Sequence, residues 1–411
     1  MTDQPTFART TALADTIRPL LRFMQATYAP LAGKPDVCDF TLGNPHELPL
    51  PGLVTALHRW TVPQHQDWFA YPQNLPEAQA TVASSLTAWR GIRFEPADIA
   101  MTNAGFAALT VGLKALTHPG DEVIINLPPW FFYEMLCVDS GLIPVKVPHD
   151  PATFDLDLRA IAAAITPRTR VIIINTPCNP TGKIYPPATL AALARLLEDA
   201  SQRNGRPIYI LSDEAYARII FDGHQFHSPT AHYANTLLAY SYGKVLLAPG
   251  QRIGFLALPP TMPDRERVRE SIFLAQMASA YAFPNALLQR ALGDLDSLSI
   301  DLGHLQRKRD SFVTALREMG YNVHTPEATF YLLPQSPWPD DLDFVDLLAE
   351  HHVLALPGTI AEIPGYFRLS LTASDAMIER ALPGFATAIT QARGNGSQGT
   401  PLATALPIGR R

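Results

Sequence analysis

From about residue 77 onward, short apolar runs alternate with longer amphipathic segments, and this rhythm constrains the fold more than any other feature of the chain. The runs are Ile99–Thr102, Glu122–Asn126, Ile143–Val147, Arg170–Asn175, Ile208–Ser212, Leu237–Tyr240 and Gly254–Leu258. Between them the spacing predicts helices at Ala78–Trp89, Phe106–Leu116, around Phe132–Asp139, Leu156–Ala164 and Pro187–Asn204. The centre of Arg170-Val-Ile-Ile-Ile-Asn175 shows no polar alternation, so that strand is expected to be buried on both faces. Apolar strands separated by helices make an α/β fold, a mostly parallel sheet covered by helices. Ligands in such sheets sit beyond the carboxyl ends of the strands. Attention therefore falls on Thr102–Phe106, Pro128–Trp130, Asn175–Gly182, Asp213–Tyr216 and Ser241–Lys244.

The flanks read differently. An amphipathic helix is expected from Thr16 to about Tyr28, with Ile17, Leu20, Leu21 and Met24 on one face. After a helical stretch, Pro263–Leu295, the chain turns to a smaller α+β pattern. It has helices at Gln306–Met319 and Leu342–His351 and strands at Tyr321–His324, Thr329–Leu333, Val353–Leu356 and Tyr366–Leu371. The expected division is residues 1–46 as an arm and part of the small domain, 47–295 as the large domain, and 296–391 as the rest of the small domain. Residues 392–411, with Gly394, Gly396, Ser397, Gly399 and Pro401, are expected to be a disordered tail.

Composition removes several function classes. A net charge of −6 is a poor match to nucleic acid. Three cysteines, Cys38, Cys137 and Cys178, are too few for a disulfide framework, and their spacing fits no zinc site. No metal is expected. The N-terminus lacks a basic segment followed by an apolar run, so the cytoplasm is the expected compartment. The uncharged stretch Ser271–Gln289 contains Gln276, Pro284 and Asn285 and reads as a buried helix broken near Pro284 rather than a membrane span. Neither a G-x-x-x-x-G-K-[ST] loop nor a G-x-G-x-x-G turn follows any strand, so the sheet holds something other than a nucleotide.

Of 32 basic side chains only six are lysines, which leaves few primary amines to consider. Lys114 lies in a helix, Lys146 in a strand between valines, and Lys308 among Arg307, Arg309 and Asp310 on a helix read as solvated. Lys34 is in a leading loop, and Lys183 follows Thr-Gly at the start of a helix. Lys244 directly follows a strand in Ser241-Tyr-Gly-Lys244, and a lysine in such a pocket can form a Schiff base with an aldehyde. A surface turn lysine is the plainer alternative. Arg252, in Arg252-Ile-Gly254, could grip a phosphate with its two-pronged fork. Asn175-Thr-Pro-Cys-Asn179-Pro-Thr-Gly182 is either a simple turn or a rigid mount for Asn179. Asp213, in Ser212-Asp213-Glu-Ala-Tyr216, is either a helix cap or a buried carboxylate that needs a cation.

Together these motifs resemble the pyridoxal-phosphate-dependent aminotransferases of fold type I, class I/II. The resemblance spans roughly Asp36 to Ala388, and Phe367-Arg368-Leu-Ser370 is similar to that family's carboxylate-binding arginine motif. It implies a cofactor, pyridoxal 5'-phosphate, held covalently by Lys244, which then acts as the general base at the substrate α-carbon. It implies that Asp213 pairs with the ring nitrogen, Tyr216 and Asn179 bind the ring's phenolic oxygen, and Trp130 stacks on its face. The phosphate falls to Ser241, Arg252 and the backbone N–H groups of Ala104, Gly105 and Phe106, with Tyr71 reaching in from a second subunit of a homodimer. Arg368 takes the substrate carboxylate, and Gly43 closes over it. The sequence departs from the family at Ala104, where glycine is commoner. At Phe106 the family has a small or hydroxyl residue. Leu75-Pro76 stands where a glycine and Leu-Arg are usual.

The implied activity is transamination between an amino acid and a 2-oxo acid, both small molecules. The same cofactor chemistry could instead end in elimination, cyclisation or oxidation. A non-catalytic sensing module is the remote alternative, but the leader is too short for a DNA-binding domain and carries no basic recognition helix. The segment Ser271–Gln289 holds no basic residue for a distal carboxylate, and it offers Tyr281 and Phe283. The substrate side chain is therefore expected to be neutral or aromatic, unless Arg22 or Arg59 supplies the missing cation. Cys178, beside the site, is expected to be a small buried filler.

Overall fold

A computed structural model describes residues 8–282 and 284–395. In chain order its strands are β1 (Cys38–Asp39), β2 (Ile99–Thr102), β3 (Glu122–Asn126), β4 (Ile143–Val147), β5 (Thr169–Asn175), β6 (Tyr209–Asp213), β7 (Thr236–Ser241), β8 (Gly254–Ala257), β9 (Tyr331–Leu332), β10 (Val353–Leu354), β11 (Leu356–Pro357) and β12 (Phe367–Ser370). The main sheet has seven strands in the order β2-β8-β7-β6-β5-β3-β4. All neighbours are parallel except β8, which runs antiparallel to both β2 and β7.

The unbroken apolar runs divide between two cores because successive strand residues point to opposite faces. Val123, Ile125, Val171 and Ile173 pack with Leu109 and Leu113 of the helix Ala104–Leu116. Ile124, Ile172 and Ile174 pack on the other side with Leu190, Leu193 and Leu197 of the helix Pro187–Asn204. Each face is thus sealed from water, and the open ends of the strands are where a ligand can lie.

The second body is built from both ends of the chain. β11, β12 and β9 form an antiparallel sheet, and β1 pairs in parallel with β10. Leu20, Phe23 and Phe40 share a core with Phe312, Phe344 and Phe385.

Several expectations need correction. The N-terminal helix is not one element from Thr16. It comprises helices Ala8–Thr16 and Arg18–Phe23 followed by a wider turn, Met24–Tyr28. Pro19 falls in the first turn of the second helix, where its missing N–H does no harm, whereas inside a continuous helix it would break the ladder. Tyr321–His324 is not a strand, and Val323 makes only an isolated bridge to Pro334. The run Val353–Leu356 splits into β10 and β11, which belong to different sheets. The stretch Pro263–Leu295 forms three helices, Arg265–Ala278, Ala286–Arg290 and Leu292–Leu295. Its first helix is only half-covered, with Leu274 and Met277 exposed.

The expected tail begins too early. The last helix, Asp375–Asn395, carries order past residue 391, and Trp338 Nε1 donates to the carbonyl of buried Ala392 at 3.1 Å. Gly396, Ser397, Gly399 and Pro401 lie outside the described residues. Lys308 is not solvated either, since it sits on the face of its helix that meets the core. Its Nζ donates to the Ala373 carbonyl at 2.8 Å and pairs with Glu47 and Asp375. Among the described residues, no helix is long and apolar enough to cross a membrane.

Candidate active site

One cleft at the carboxyl ends of β5, β6 and β7 is lined by Gly105, Phe106, Trp130, Asn175, Asn179, Asp213, Tyr216, Ser241, Lys244 and Arg252. Larger hollows exist elsewhere, one of about 670 Å³ beside Arg170 and Arg267, but none gathers this chemistry. Lys244 sits in the short helix Tyr242–Val245, which begins as β7 ends. Its Nζ lies 5.5 Å from the Tyr216 ring centroid and 5.9 Å from that of Phe330.

Asp213 ends β6 and is buried. Its Oδ2 accepts from the Tyr133 hydroxyl at 2.7 Å and its Oδ1 from the Ala215 N–H at 3.2 Å. Burial pushes the carboxyl above its ordinary range, while the Tyr133 and Ala215 hydrogen bonds and the Lys244 charge pull it back. A buried carboxylate whose two direct donors are neutral still has room for a cation in contact. Of the two alternatives for Asp213, the helix cap does not hold, because no helix starts there.

A phosphate-sized anion has a mount at the other end of the cleft. The helix Ala104–Leu116 starts two residues before the expected Phe106, and no side chain caps its first turn. Its leading N–H groups and the positive end of its dipole are therefore available to a ligand. Ala104 adopts φ 65, a left-handed conformation that favours glycine, which gives a physical reason for the family's preference at this position. The glycine of Arg252-Ile-Gly254 has an equally local cause. A Cβ there would fall 2.3 Å from the Tyr240 carbonyl oxygen and 2.9 Å from Ala104 Cα. Ser241 is buried at the end of β7, and Arg252 reaches the cleft from the exposed loop before β8.

The opposite wall belongs to the second body. Arg368, on β12, is buried, and its Nη1 donates to Asn179 Oδ1 at 3.1 Å and its Nη2 to the Thr41 carbonyl at 2.9 Å. Its Nε is buried with no hydrogen-bond partner. The guanidinium lies 4.1 Å from the Tyr331 ring centroid and 5.9 Å from that of Phe131. Asn179 is held by its neighbour Asn175, whose Oδ1 accepts from the Asn179 N–H at 2.7 Å. Gly182 lets the loop of Pro326 close over this turn, since a Cβ there would meet Pro326 Cβ at 2.4 Å. Gly43 lies against Tyr331, whose hydroxyl would be 2.7 Å from a Cβ at that position.

The family model for class I and II aminotransferases matches residues 35–385. The chain belongs to the class I and II aminotransferases. It is 30% identical over 363 residues to a probable aspartate/prephenate aminotransferase of Thermus aquaticus, covering 86% of this chain and 92% of that one. Identity to the aspartate/prephenate aminotransferase of Thermus thermophilus is 29% over 366 residues, covering 87% and 92%. A solved amino transferase structure from Eubacterium rectale matches with a TM-score of 0.86 at 28% identity, over 95% of this chain and 99% of that one. The protein is thus an amino-acid aminotransferase of the pyridoxal-phosphate-dependent class.

Two residues of this aminotransferase's cleft escaped the sequence reading. In the sequence Tyr133 reads as part of an apolar helix start. Tyr331 falls in an expected strand with nothing in its neighbours to mark it, yet it touches Tyr216, Arg368 and the Gly43 loop. Tyr216 donates to its oxygen at 3.4 Å. Burial and the adjacent Tyr331 oxygen hold the Tyr216 hydroxyl well above its ordinary value. For Tyr331 burial acts in the same sense, but the Arg368 and Lys244 charges outweigh it, and its hydroxyl falls below its ordinary value.

Other expected residues lie elsewhere. Tyr71 is 89% exposed on its own chain and does not line the cleft. Arg59 pairs with Asp294 on the surface, and Arg22 is exposed on the helix Arg18–Phe23. Lys146 is taken up by Glu134 at 2.8 Å and Glu362 at 3.0 Å. Tyr281 packs on the core beneath Arg265–Ala278, and Phe283 lies outside the described residues. Cys178 is buried, and burial pushes its thiol up. Among the described residues no cluster suited to a metal ion occurs.

Proposed function

We propose that this cleft holds pyridoxal 5'-phosphate and transaminates an amino acid with a neutral or aromatic side chain. The observation that carries the reading is the convergence of Lys244, Asp213 and Arg252 on one cleft beside an uncapped helix start. The residues fit the cofactor, because buried Asp213 has no cation among its hydrogen-bond donors and the leading amides of Ala104, Gly105 and Phe106 lack a side-chain acceptor. When bound, the cofactor supplies an electron sink conjugated to the substrate α-carbon and carries the amino group between substrates.

The chain's own groups do the rest. Lys244 offers the amine that anchors the cofactor and then moves the proton at the substrate α-carbon. Asp213, oriented by Tyr133, holds a protonated ring nitrogen in place. Tyr216 and Asn179 bind the phenolic oxygen, and Trp130 covers the ring face. Ser241, Arg252 and the amides of Ala104, Gly105 and Phe106 take the phosphate. Arg368, whose Nε is unpaired, grips the substrate carboxylate with its planar fork, and the Gly43 loop closes over it.

Aromatic walls support this substrate class. Trp130 meets Phe106 edge-on with centroids 5.0 Å apart and Phe132 at 5.2 Å, and Phe131 faces Arg368. The two arginines that could supply a cation for a distal carboxylate, Arg22 and Arg59, face solvent or Asp294. A homodimer accords with the apolar side chains left in water: Leu48 is 94% exposed, Val62 64% and Phe69 59%. Val62 and Phe69 precede by a few residues Tyr71, the residue proposed to reach the partner's phosphate site.

An amino-donor panel on purified protein tests the reading, followed as loss of the visible absorbance of the lysine-bound cofactor. Neutral and aromatic donors should discharge it, aspartate poorly, and turnover should need a 2-oxo acid. Ammonia release without an acceptor would replace transamination by elimination. A Lys244→Ala protein that still gave a borohydride-reducible adduct would overturn the lysine assignment.

A further inference from the structure

Behind the cleft, the same strand ends carry a second set of side chains. Glu214 follows Asp213 and is fully buried. It pairs with Arg90 at 2.5 Å and accepts from Ser212 at 3.1 Å and from Ser228. Arg218, in the turn that begins with Tyr216, lays its guanidinium over the Trp89 ring at 4.2 Å. Its Nη2 donates to Asp296 Oδ1 at 2.6 Å and to Ser85 Oγ at 3.0 Å, and its Nη1 donates to the Asp296 carbonyl at 2.7 Å. Tyr242 shares a short helix with Lys244, is fully buried, and donates to the same Asp296 Oδ1 at 2.8 Å. One carboxylate oxygen therefore ties the turn of Tyr216 to the turn of Lys244.

Stability alone is a weak reason to keep such a cluster, because buried ion pairs gain little over well-packed apolar replacements. Geometry is a better one. A guanidinium held at both the carboxylate and the carbonyl of Asp296 has a single orientation. The amine of Lys244 rides on a flexible stem, so its reach depends on where its backbone turn is fixed. Proton transfer is sensitive to displacements well below 1 Å.

We propose that Asp296 is a positioning residue of this aminotransferase: through Tyr242 and Arg218 it sets the spacing between the Lys244 amine and the Tyr216 phenol. The inference rests on the roles assigned above to Lys244 and Tyr216.

Tyr242→Phe removes one hydrogen bond and no charge, and Asp296→Asn keeps the shape and removes the charge. Each full-length variant is compared with wild type by thermal unfolding, by equilibrium binding of pyridoxal phosphate to cofactor-stripped protein, and by pH titration of the bound cofactor's visible absorbance. Steady-state kcat and KM complete the comparison. For Tyr242→Phe the expected result is a lowered unfolding midpoint that still leaves the protein folded at the assay temperature, KM for the amino donor within about twofold, kcat per folded protein lowered about 10-fold, and a displaced absorbance midpoint. Asp296→Asn should move the same readouts further. A Tyr242→Phe enzyme with wild-type kcat and absorbance midpoint overturns the inference. So does a kcat that falls only in step with the amount of folded protein. Should Asp296→Asn not fold, Tyr242→Phe decides alone. Wild-type protein that binds no pyridoxal phosphate removes the assignment of the cleft and this inference with it. Active wild type beside an unaltered Tyr242→Phe removes the inference only.

Discussion

Tyr133→Phe isolates one hydrogen bond in the proposed cofactor site. The Tyr133 hydroxyl lies 2.7 Å from Asp213 Oδ2, and both residues are buried, so water cannot replace the lost donor. A hydrogen bond to a charged group is worth about 1.5 to 3 kcal/mol. If the bond supports the ionised carboxylate that holds the cofactor's ring nitrogen, its loss should weaken cofactor binding about 10- to 150-fold. The pH dependence follows with a definite sign. Burial already raises the Asp213 carboxyl, and Tyr133 opposes that rise. Without Tyr133 the carboxyl rises further, so it takes up a proton at a higher pH as the solution is acidified. Cofactor affinity, which needs the ionised form, should therefore be lost at a higher pH in the variant than in wild type. Equilibrium titration of cofactor-stripped protein at several pH values measures both effects. An affinity within twofold of wild type at every pH, with only the unfolding midpoint lowered, would show that Tyr133 serves packing and not Asp213.

Other substitutions probe separate parts of the cleft. Arg368→Lys keeps the charge but loses the fork that binds Asn179 and the Thr41 carbonyl; kcat/KM for the amino donor should fall about 10- to 100-fold with cofactor affinity unchanged, and a KM equal to wild type would sink the carboxylate assignment. Ala104→Gly relieves a left-handed alanine, worth about 1 to 2 kcal/mol, against about 0.5 to 1 kcal/mol of added chain entropy, so urea unfolding should show unchanged or slightly raised stability. A clear loss of stability would contradict that account of the loop. His149 and His324, which flank the Phe154 ring, are both held by burial below their ordinary value of 6.5. The unfolded chain then binds more protons just below that pH, so their contribution is full above it and lost as pH falls. Unfolding midpoints measured from about pH 7.5 down to about pH 5.5 should decline, and His149→Gln with His324→Gln should flatten the slope.

The residues legible in the sequence share one property: each is announced by its immediate neighbours. Lys244 and Asp213 directly follow or end apolar strands, Asn179 is framed by prolines, and Arg368 lies in a short apolar run. Short-range punctuation of this kind locates strand ends, and strand ends are where this fold opens. Tyr133 and Tyr331 carry no such punctuation. Their partners are 80 and 115 residues away in sequence, and an aromatic inside an apolar segment looks like core whether or not its hydroxyl serves a site. The same limit explains Lys308. A run of charges around it suggested solvent, but Leu305, Phe312, Val313 and Leu316 turn that face of the helix inward, and the Ala373 carbonyl with Glu47 and Asp375 meets the ammonium there.

The departures from the family pattern sort by the same physics. The left-handed backbone at Ala104 leaves the proposed phosphate contacts intact, because they are amides, which do not depend on the side chain. Phe106 is bulky because its ring is enlisted by Trp130 and Phe132 to build the cleft wall, at centroid distances of 5.0 and 5.4 Å. Where a role belongs to the backbone, the side chain is free to change, and here the change at Phe106 removes a possible side-chain donor while adding aromatic surface. The same position thus links two proposals, a phosphate held by amides and a substrate chosen by rings. Phe106→Ser separates them: cofactor affinity should hold while kcat/KM for aromatic donors falls about 10-fold, since on the proposed reading the ring borders the substrate and the amide holds the phosphate. Equal losses of both would show that the Phe106 side chain supports the phosphate loop itself.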